Sequence, residues 1–407
     1  MQAQKISIPE DQRPSTVADV RRRINEALPV LAAEAVACDE LGQLTPKVYE
    51  TLRDSGVMRV LQPKEHGGIE GDPVAFCELV MDIASESPSA GWVTGVVGVH
   101  PFEFAQADPR LQEEVWGENV DTWIASPYAM FGRARRVEGG WLFSGRWPFS
   151  SGTDWCDWIV VGGLAEPADG SRPGEFVEPH HFILPRSDYV IHHDSWDTMG
   201  LRGTGSKDVE AKDAFVPDYR VINVKKLNAR DYYRQNRPGS PLYEIPFDFL
   251  FPGVIASATI GLADGVVRRF KDYSASRVNR GGLSSIDHPY QMAALGAGMA
   301  DIAASRLHVL DDMRRAYDVA LSGGHVTAAM QHEARRNQAR AVRRAAEAAH
   351  VVFSNVGGNV ARVTNPIQRF YRDVTVAMCH ACNADEYVYA AQAASIFGKP
   401  IPPGIIV

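Results

Sequence analysis

Cysteine is scarce in this chain, five among 407 residues and an odd number, so a disulfide framework is not expected. A basic surplus is missing as well. Lysine and arginine total 42 against 50 acidic residues, a net charge of −8, and no basic run is interleaved with aromatics. A surface that displaces phosphate counterions needs the opposite balance, which argues against a nucleic-acid partner. No uninterrupted apolar run approaches the roughly 20 residues of a membrane-spanning helix. The stretch from Met1 to Asp19 is polar, carries Pro9 and Pro14, and lacks the basic-then-apolar order of a secretory leader. These absences lead to the expectation of a cytoplasmic protein that engages neither membrane nor nucleic acid.

What is present is ordinary for a globular chain: 45% hydrophobic and 23% charged residues, with length for two or three domains of roughly 100–200 residues each. Val17, Val20, Ile24, Leu28 and Leu31 fall on one helix face, and Thr16 with Asp19 has the spacing of an N-terminal cap. Helical patterns follow over 46–55, 73–85, 91–106 and 109–116. The texture changes near Asp121. Segments 122–126, 141–144, 158–161, 181–184 and 208–216 are rich in β-branched and aromatic residues, and Glu138-Gly139-Gly140 has the composition of a hairpin turn. The stretch 218–246, with Pro238, Gly239 and Pro241, is expected to be a loop or linker. Long helical patterns then cover 252–277, 288–321, 328–355 and 367–397, the signature of an antiparallel bundle. The expected fold is α+β and mostly α: an N-terminal helical domain (1–120), a central antiparallel, barrel-like β domain (121–235) and a C-terminal four-helix bundle (236–407). That order excludes the regular alternation of a Rossmann fold or a TIM barrel.

Some apparent motifs do not hold. Gly200 to Lys207 suggests a phosphate loop, but Gly205 is followed by Ser206-Lys207 rather than Lys-Ser/Thr, and a strand rather than a helix follows. Cys379-His380-Ala381-Cys382 has no second Cys or His pair to complete a zinc site, and it falls in an expected helix, so it reads as buried helix cysteines. His180-His181 and His192-His193 are expected in strands or loops, with loop pairs usually solvated. Arg335, Arg336, Arg340, Arg343 and Arg344 are expected on a solvated or intersubunit face.

Three separated segments resemble the acyl-CoA dehydrogenase superfamily: Gln62 to Gly68; Trp196 to Ser206 followed by Asp213-Ala214-Phe215-Val216-Pro217; and Gly357-Gly358 followed by Pro366 to Asp373. Together with the order of blocks they span nearly the whole chain. The dehydrogenases' Tyr-Glu-Gly-Thr segment, with its catalytic glutamate, is absent; Met378-Cys379-His380-Ala381-Cys382 stands there instead. In this the chain resembles the superfamily's flavin-dependent monooxygenase branch, the oxygenase components of hydroxyphenylacetate and steroid-phenol hydroxylases. It is similar to them at Gly91-Trp92-Val93, Ile124 to Tyr128, Trp147 to Gly152, Arg202 to Ser206, and Arg369 to Ala381.

The resemblance implies an enzyme that receives FMNH2 or FADH2 from a separate NAD(P)H:flavin reductase. With O2 it would form a flavin C4a-hydroperoxide and hydroxylate a phenol- or indole-type ring. It implies further that Phe149, Ser150 and Ser151 lie along the isoalloxazine edge with a serine hydroxyl near N5, and that Trp92, Ser126 and Tyr128 complete the flavin face. His380, beside Ala381 on a C-terminal helix, would accept a substrate proton, a task suited to imidazole because its ordinary pKa is near neutrality. Ser126 would share the substrate hydroxyl. Arg277 resembles the arginine that meets the flavin phosphate, often across a subunit boundary; Gly358 and Asn359 would allow backbone approach to the cofactor; and a homotetramer is implied. Each residue also has a plain structural reading: a strand-end serine, core aromatics, a helix histidine, a helix-end arginine near the dipole, a glycine stop. Two rival functions remain at this point, a thioester dehydrogenase or oxidase with a displaced base, and a non-catalytic flavin- or ligand-binding member.

Overall fold

The computed structural model describes residues 8–400 apart from 168–171, 173, 279–281 and 283. Helix α1 (Val17–Leu41) starts where the Thr16 side chain accepts the Asp19 amide and stops at Gly42 in the left-handed region, an N-cap and a glycine C-cap. After α2 (Pro46–Ser55) and α3 (Pro73–Glu86) comes α4 (Pro88–Gly98), buried on every side. The single helix expected over 91–106 is broken: α5 (His100–Phe104) is separate, because Pro101 has no amide hydrogen to continue the ladder. Helix α6 (Pro109–Trp116) closes this block.

The sheet comprises β1 (Ile124–Ala125), β2 (Gly132–Val137), β3 (Gly140–Ser150), β4 (Trp158–Ala165), β5 (Glu178–Pro185), β6 (Val190–His192), β7 (Lys207–Pro217) and β8 (Val221–Asn223). The hairpin turn at Glu138-Gly139 joins β2 to β3 as expected. The expected antiparallel, barrel-like arrangement is corrected in two respects. The order is β6-β7-β3-β2-β4-β5-β8, an open sheet with β6 and β8 at opposite edges. It is also mixed: β1 and β2 both run parallel to β4, along the same edge. Between them residues 126–131 leave the ladder, with the Gly162 amide donating to the Pro127 carbonyl at 3.2 Å and the Trp147 indole to the Ala129 carbonyl at 3.0 Å. A side chain at Gly162 would place its Cβ 2.0 Å from the Tyr128 carbonyl oxygen. Only glycine permits that approach, and it is what lifts Ser126 and Tyr128 out of the sheet.

The stretch 218–246 is not an irregular linker. It carries a 3-10 turn (Asp218–Arg220), the strand β8, and three short helices: α7 (Val224–Asn228) capped by Asn223, α8 (Asp231–Asn236) and α9 (Pro241–Glu244). Pieces of three to six residues carry too little periodicity to be seen in the sequence. The bundle follows as α10 (Phe247–Ser276), α11 (Pro289–Leu321), α12 (Ala328–Asn355), α13 (Pro366–Ala377) and α14 (Glu386–Ile396). The helix expected over 367–397 is thus two, and His380 lies on the link between them rather than on a helix. Asn383 breaks the run by donating both to the Ala377 carbonyl and to the Thr259 hydroxyl.

Helix α10 is the axis of the molecule, packing on α3, α4, α11, α12 and α13. Contrary to the sequence expectation, it is long and apolar enough to cross a membrane, but 94% of its apolar window is buried within the fold, as for a core helix. One further expectation is overturned. Arg335 is 1% exposed rather than solvated, donating to the Cys382 carbonyl and to Gln338, both at 2.9 Å. His180 and His181 are strand residues, one of the two expected placements, and both are buried in β5. Replacing Gly162 by alanine is expected to lower the urea midpoint by the equivalent of about 1–3 kcal/mol at unchanged slope, the penalty of overpacking; an unaltered midpoint would show that residues 126–131 give way freely.

Candidate active site

Two of the aromatic residues singled out in the sequence, Trp92 and Tyr128, converge with His380 where the sheet, α4 and the start of α10 meet the link between α13 and α14. Trp92 on α4 donates through Nε1 to the Ser151 hydroxyl at 3.3 Å. Its ring stands edge-on to His380 with centroids 5.7 Å apart. His380 is followed by Phe251 at 6.3 Å, Phe251 by Tyr128 at 5.3 Å, and Phe247 stacks on Phe251 at 5.5 Å. Trp92, Ser151, Tyr128 and His380 therefore belong to one cluster. Ser126 is half-buried, just beyond β1.

The segment that imitates a phosphate loop is a chain of hydroxyls. Thr204 donates to the Leu201 carbonyl at 2.7 Å, its oxygen lies 2.6 Å from Ser206, and Ser206 lies 2.7 Å from Ser151. Each hydroxyl has one hydrogen. With that of Thr204 committed to Leu201, Ser206 must donate to Thr204 and Ser151 to Ser206. Since Ser151 already accepts from Trp92, one lone pair remains free, and Ser151 can only accept from a ligand. The chain is anchored at Asp373, whose Oδ1 accepts the Leu201 amide at 2.6 Å while Leu201 itself is left-handed. Gly200 fits there because its Cβ would meet the Arg372 carbonyl at 2.4 Å. Burial pushes the Asp373 carboxyl up to about 7 against the opposing Leu201 amide. Ser150 is buried with no partner for its Oγ. Phe149 is left-handed, with φ of 67°, and 66% exposed, a strained backbone that turns a large ring outward.

His380 is half-buried, and its Nδ1 accepts the Cys382 amide at 3.2 Å. Burial, seconded by the Arg335 charge, lowers its pKa to about 4, so the ring is neutral and carries its one hydrogen on Nε2. It presents a donor, the reverse of the proton acceptor expected from the sequence. Arg335, which holds the Cys382 carbonyl, and Asn383 fix this link in place. The neighbouring Ala381 is exposed.

A second group at the cluster was not found in the sequence. His100 Nδ1 lies 2.9 Å from the Tyr128 hydroxyl, which donates to Glu103 at 2.6 Å; His181 Nδ1 is 2.5 Å from the other Glu103 oxygen. His100 and Glu103 are completely buried, and burial lowers the His100 pKa to about 3. The one available signal was that a run of thirteen uncharged residues from Ser87 to Val99 ends in two ionisable groups three apart. The structure does not bring Arg277, Gly358 and Asn359 to this cluster. Arg277 follows α10, whose opposite end bears Phe251, so roughly 39 Å of helix intervenes. Its guanidinium donates to the Val356 carbonyl and lies over Tyr273; Gly358 and Asn359 are exposed next to that contact. Among the described residues no His, Cys, Asp and Glu are grouped to hold a metal ion.

Helices, sheet and bundle in this order, with a polar-lined aromatic cluster where they meet, define an acyl-CoA dehydrogenase-type fold. Residues 253–384 match the family model described as acyl-CoA dehydrogenase, C-terminal domain. A pigment production hydroxylase of Rhodococcus erythropolis is 42% identical over 93% of this chain and 96% of that protein. The flavin-dependent monooxygenase oxygenase subunit HsaA of Rhodococcus jostii is 34% identical over 93% of this chain and 98% of its own. The crystal structure of 3-HSA hydroxylase from Rhodococcus sp. RHA1 superposes with a TM-score of 0.90 at 32% identity, covering 98% of this chain and all of that one. The chain belongs to the flavin-dependent monooxygenases of the acyl-CoA dehydrogenase superfamily.

The buried neutral His100 has a consequence for stability. In the unfolded chain an imidazole takes up its proton near pH 6.5, whereas His100 refuses it down to about 3. Its contribution is complete above pH 6.5 and is lost as pH falls below that, by about 1.4 kcal/mol per pH unit. Asp373, raised to about 7, titrates in the same window with the opposite sign, so the informative quantity is the difference between wild type and His100→Asn. Urea unfolding at pH 7, 6 and 5 is expected to show that difference shrinking with acidity; parallel curves would contradict a neutral buried ring.

Proposed function

We propose that this chain is the oxygenase component of a two-component system, taking FMNH2 or FADH2 from a separate NAD(P)H:flavin reductase and hydroxylating an electron-rich ring of phenol or indole type. When bound, reduced flavin supplies the electrons that activate O2. The convergence of Trp92, Ser151 and His380 carries this reading. Their surroundings suit a flavin: Ser151 offers a lone pair to an N–H edge such as that at N5, Ser150 has an unpartnered buried hydroxyl, and Phe149 presents an exposed ring. The aromatic walls of Trp92, Tyr128, Phe247 and Phe251 would exclude water and hold a flat ring. His380, through Nε2–H, would donate to an oxygen of the reacting partners, with Ser126 beside the substrate and Ala381 along the cofactor.

The thioester-oxidising alternative requires a free carboxylate. Of the buried carboxyls, Glu103 has both oxygens engaged by Tyr128 and His181, and Asp373 accepts the Leu201 amide, which disfavours that reading. Arg277, Gly358 and Asn359 are, on this proposal, placed for the flavin of a neighbouring subunit in a homotetramer of this cytoplasmic enzyme. Exposed apolar residues on the bundle, among them Leu307, Val363, Ile396 and Phe397, support such an assembly.

Supplying the protein with reduced FMN or FAD, O2 and a panel of phenols and indoles should yield hydroxylated product by mass spectrometry, from an assembly whose light-scattering mass is near that of four chains. Ser151→Ala is expected to divert several-fold more of the oxygen to hydrogen peroxide while leaving the fold intact. Reduction of bound flavin by an acyl-CoA, with no product from the panel, would instead select the thioester oxidiser.

A further inference from the structure

Behind the aromatic cluster, Arg335 and Gln338 stand one turn apart on the same side of α12, and each is 1% exposed. A guanidinium buried this deeply is costly unless its donors are well directed. Here they lead to two places that flank the cluster. One arm donates to the Cys382 carbonyl at 2.9 Å and another to Gln338 Oε1 at 2.9 Å; Gln338 in turn donates through Nε2 to the Phe249 carbonyl at 3.2 Å. Cys382 is the residue whose amide donates to His380 Nδ1. Phe249 lies between Phe247 and Phe251, the two rings that α10 sets against Tyr128. That turn of α10 is loosely tied to the rest of the helix, because Pro252 offers the Asp248 carbonyl no amide hydrogen. Gly253 leaves the room that Gln338 enters: a Cβ there would come within 3.1 Å of Nε2. Asp248, in the same turn, opposes the Arg335 charge, and burial raises its carboxyl to about 6.

We propose that Arg335 and Gln338 are positioning residues for the oxygenation: as one clamp they hold His380, with its hydrogen on Nε2, in fixed register with the aromatic wall of Phe247 and Phe251. A ring resting on that wall then meets the His380 donor at a set place. Without the clamp the link after α13 and the first turns of α10 shift independently, and a displacement of about 1 Å at a reacting centre is enough to slow a reaction strongly. This rests on the reading of the cluster as the ligand site and adds two residues that act on it from behind, through His380 and the two phenylalanines.

Two variants take the clamp apart at different ends. Arg335→Lys keeps the charge but replaces the planar fork by one ammonium, which cannot serve Cys382 and Gln338 in place. Gln338→Glu still accepts from Arg335 but has no hydrogen for the Phe249 carbonyl. Histidine 15N NMR of the full chain without flavin, with the His380 signal assigned through His380→Asn, reads the tautomer at pH 7, where the ring is neutral. Wild type and Gln338→Glu are expected to show the Nε2–H form alone, and Arg335→Lys a mixture of both forms. In turnover with reduced flavin and a phenol or indole, Arg335→Lys should chiefly lower kcat and Gln338→Glu chiefly raise KM. Each change should be about three- to tenfold, the effect of one ordinary hydrogen bond. A residue that served stability alone would move both constants together and leave the tautomer as it is. A single His380 tautomer in folded Arg335→Lys, or an unchanged KM in Gln338→Glu, overturns the clamp. Should Arg335→Lys not fold, the KM of Gln338→Glu decides. No turnover by wild type would remove the oxygenase reading and leave the tautomers to decide the clamp.

Discussion

A helix that is apolar on every face has to be enclosed on every face, and α10 imposes that requirement on this molecule. The N-terminal helices α3 and α4 cover one side, α11, α12 and α13 the others, so blocks that are distant in sequence share one core. Only its first turns, at Phe247 and Phe251, reach the aromatic cluster. The site is placed there because that is where the axis meets α4, the lifted residues 126–131 and the link after α13. The sheet adapts to this: it gives up pairing with β4 for the six residues between β1 and β2 and admits a glycine at 162 so that Tyr128 can turn inward.

Within the cluster, polarity is set by counting hydrogens rather than by charge. Trp92 can only donate, a carboxylate can only accept, and each hydroxyl has a single hydrogen, so three short chains acquire fixed directions from their anchored ends. Burial keeps both imidazoles neutral, at about 3 for His100 and about 4 for His380, and each is then held in one form by its Nδ1 neighbour. For His100 that neighbour is a hydroxyl already committed to Glu103; for His380 it is a backbone amide. The same side chain thus offers a lone pair in one place and an N–H in the other. A polar network satisfied in only one sense is a strong constraint in a low-dielectric interior.

Long periodic helices and the tight turn at Glu138-Gly139 were legible in the sequence because periodicity and turn composition report what lies close along the chain; Trp92, Ser151 and His380 were singled out by the family resemblance, and the fold brings them into one cluster. What escaped was set by contacts across it. The parallel pairing of β1 and β2 with β4 leaves no local trace, and neither do the four- to six-residue helices before α10. The break after Ala377 comes from Asn383 reaching Thr259 on another helix, against a helical pattern that runs on regardless. Arg335 sits in an arginine-rich run that looks solvated, yet its partner is a carbonyl 47 residues further along the chain. Glu103 shows the same limit: its partners come from the interruption after β1 and from β5, 25 and 78 residues further along the chain.

The link that carries His380 is short, non-helical and tied down from outside, by Arg335 on α12 and Thr259 on α10. Its neighbours α13 and α14 are separately packed helices, so a substitution at the exposed Cys379 or Ala381 changes the surface of the link without passing through the helical ladder. The position of the His380 ring is thus set from two other helices, so a change at Arg335 or Thr259 can move it without touching the link itself.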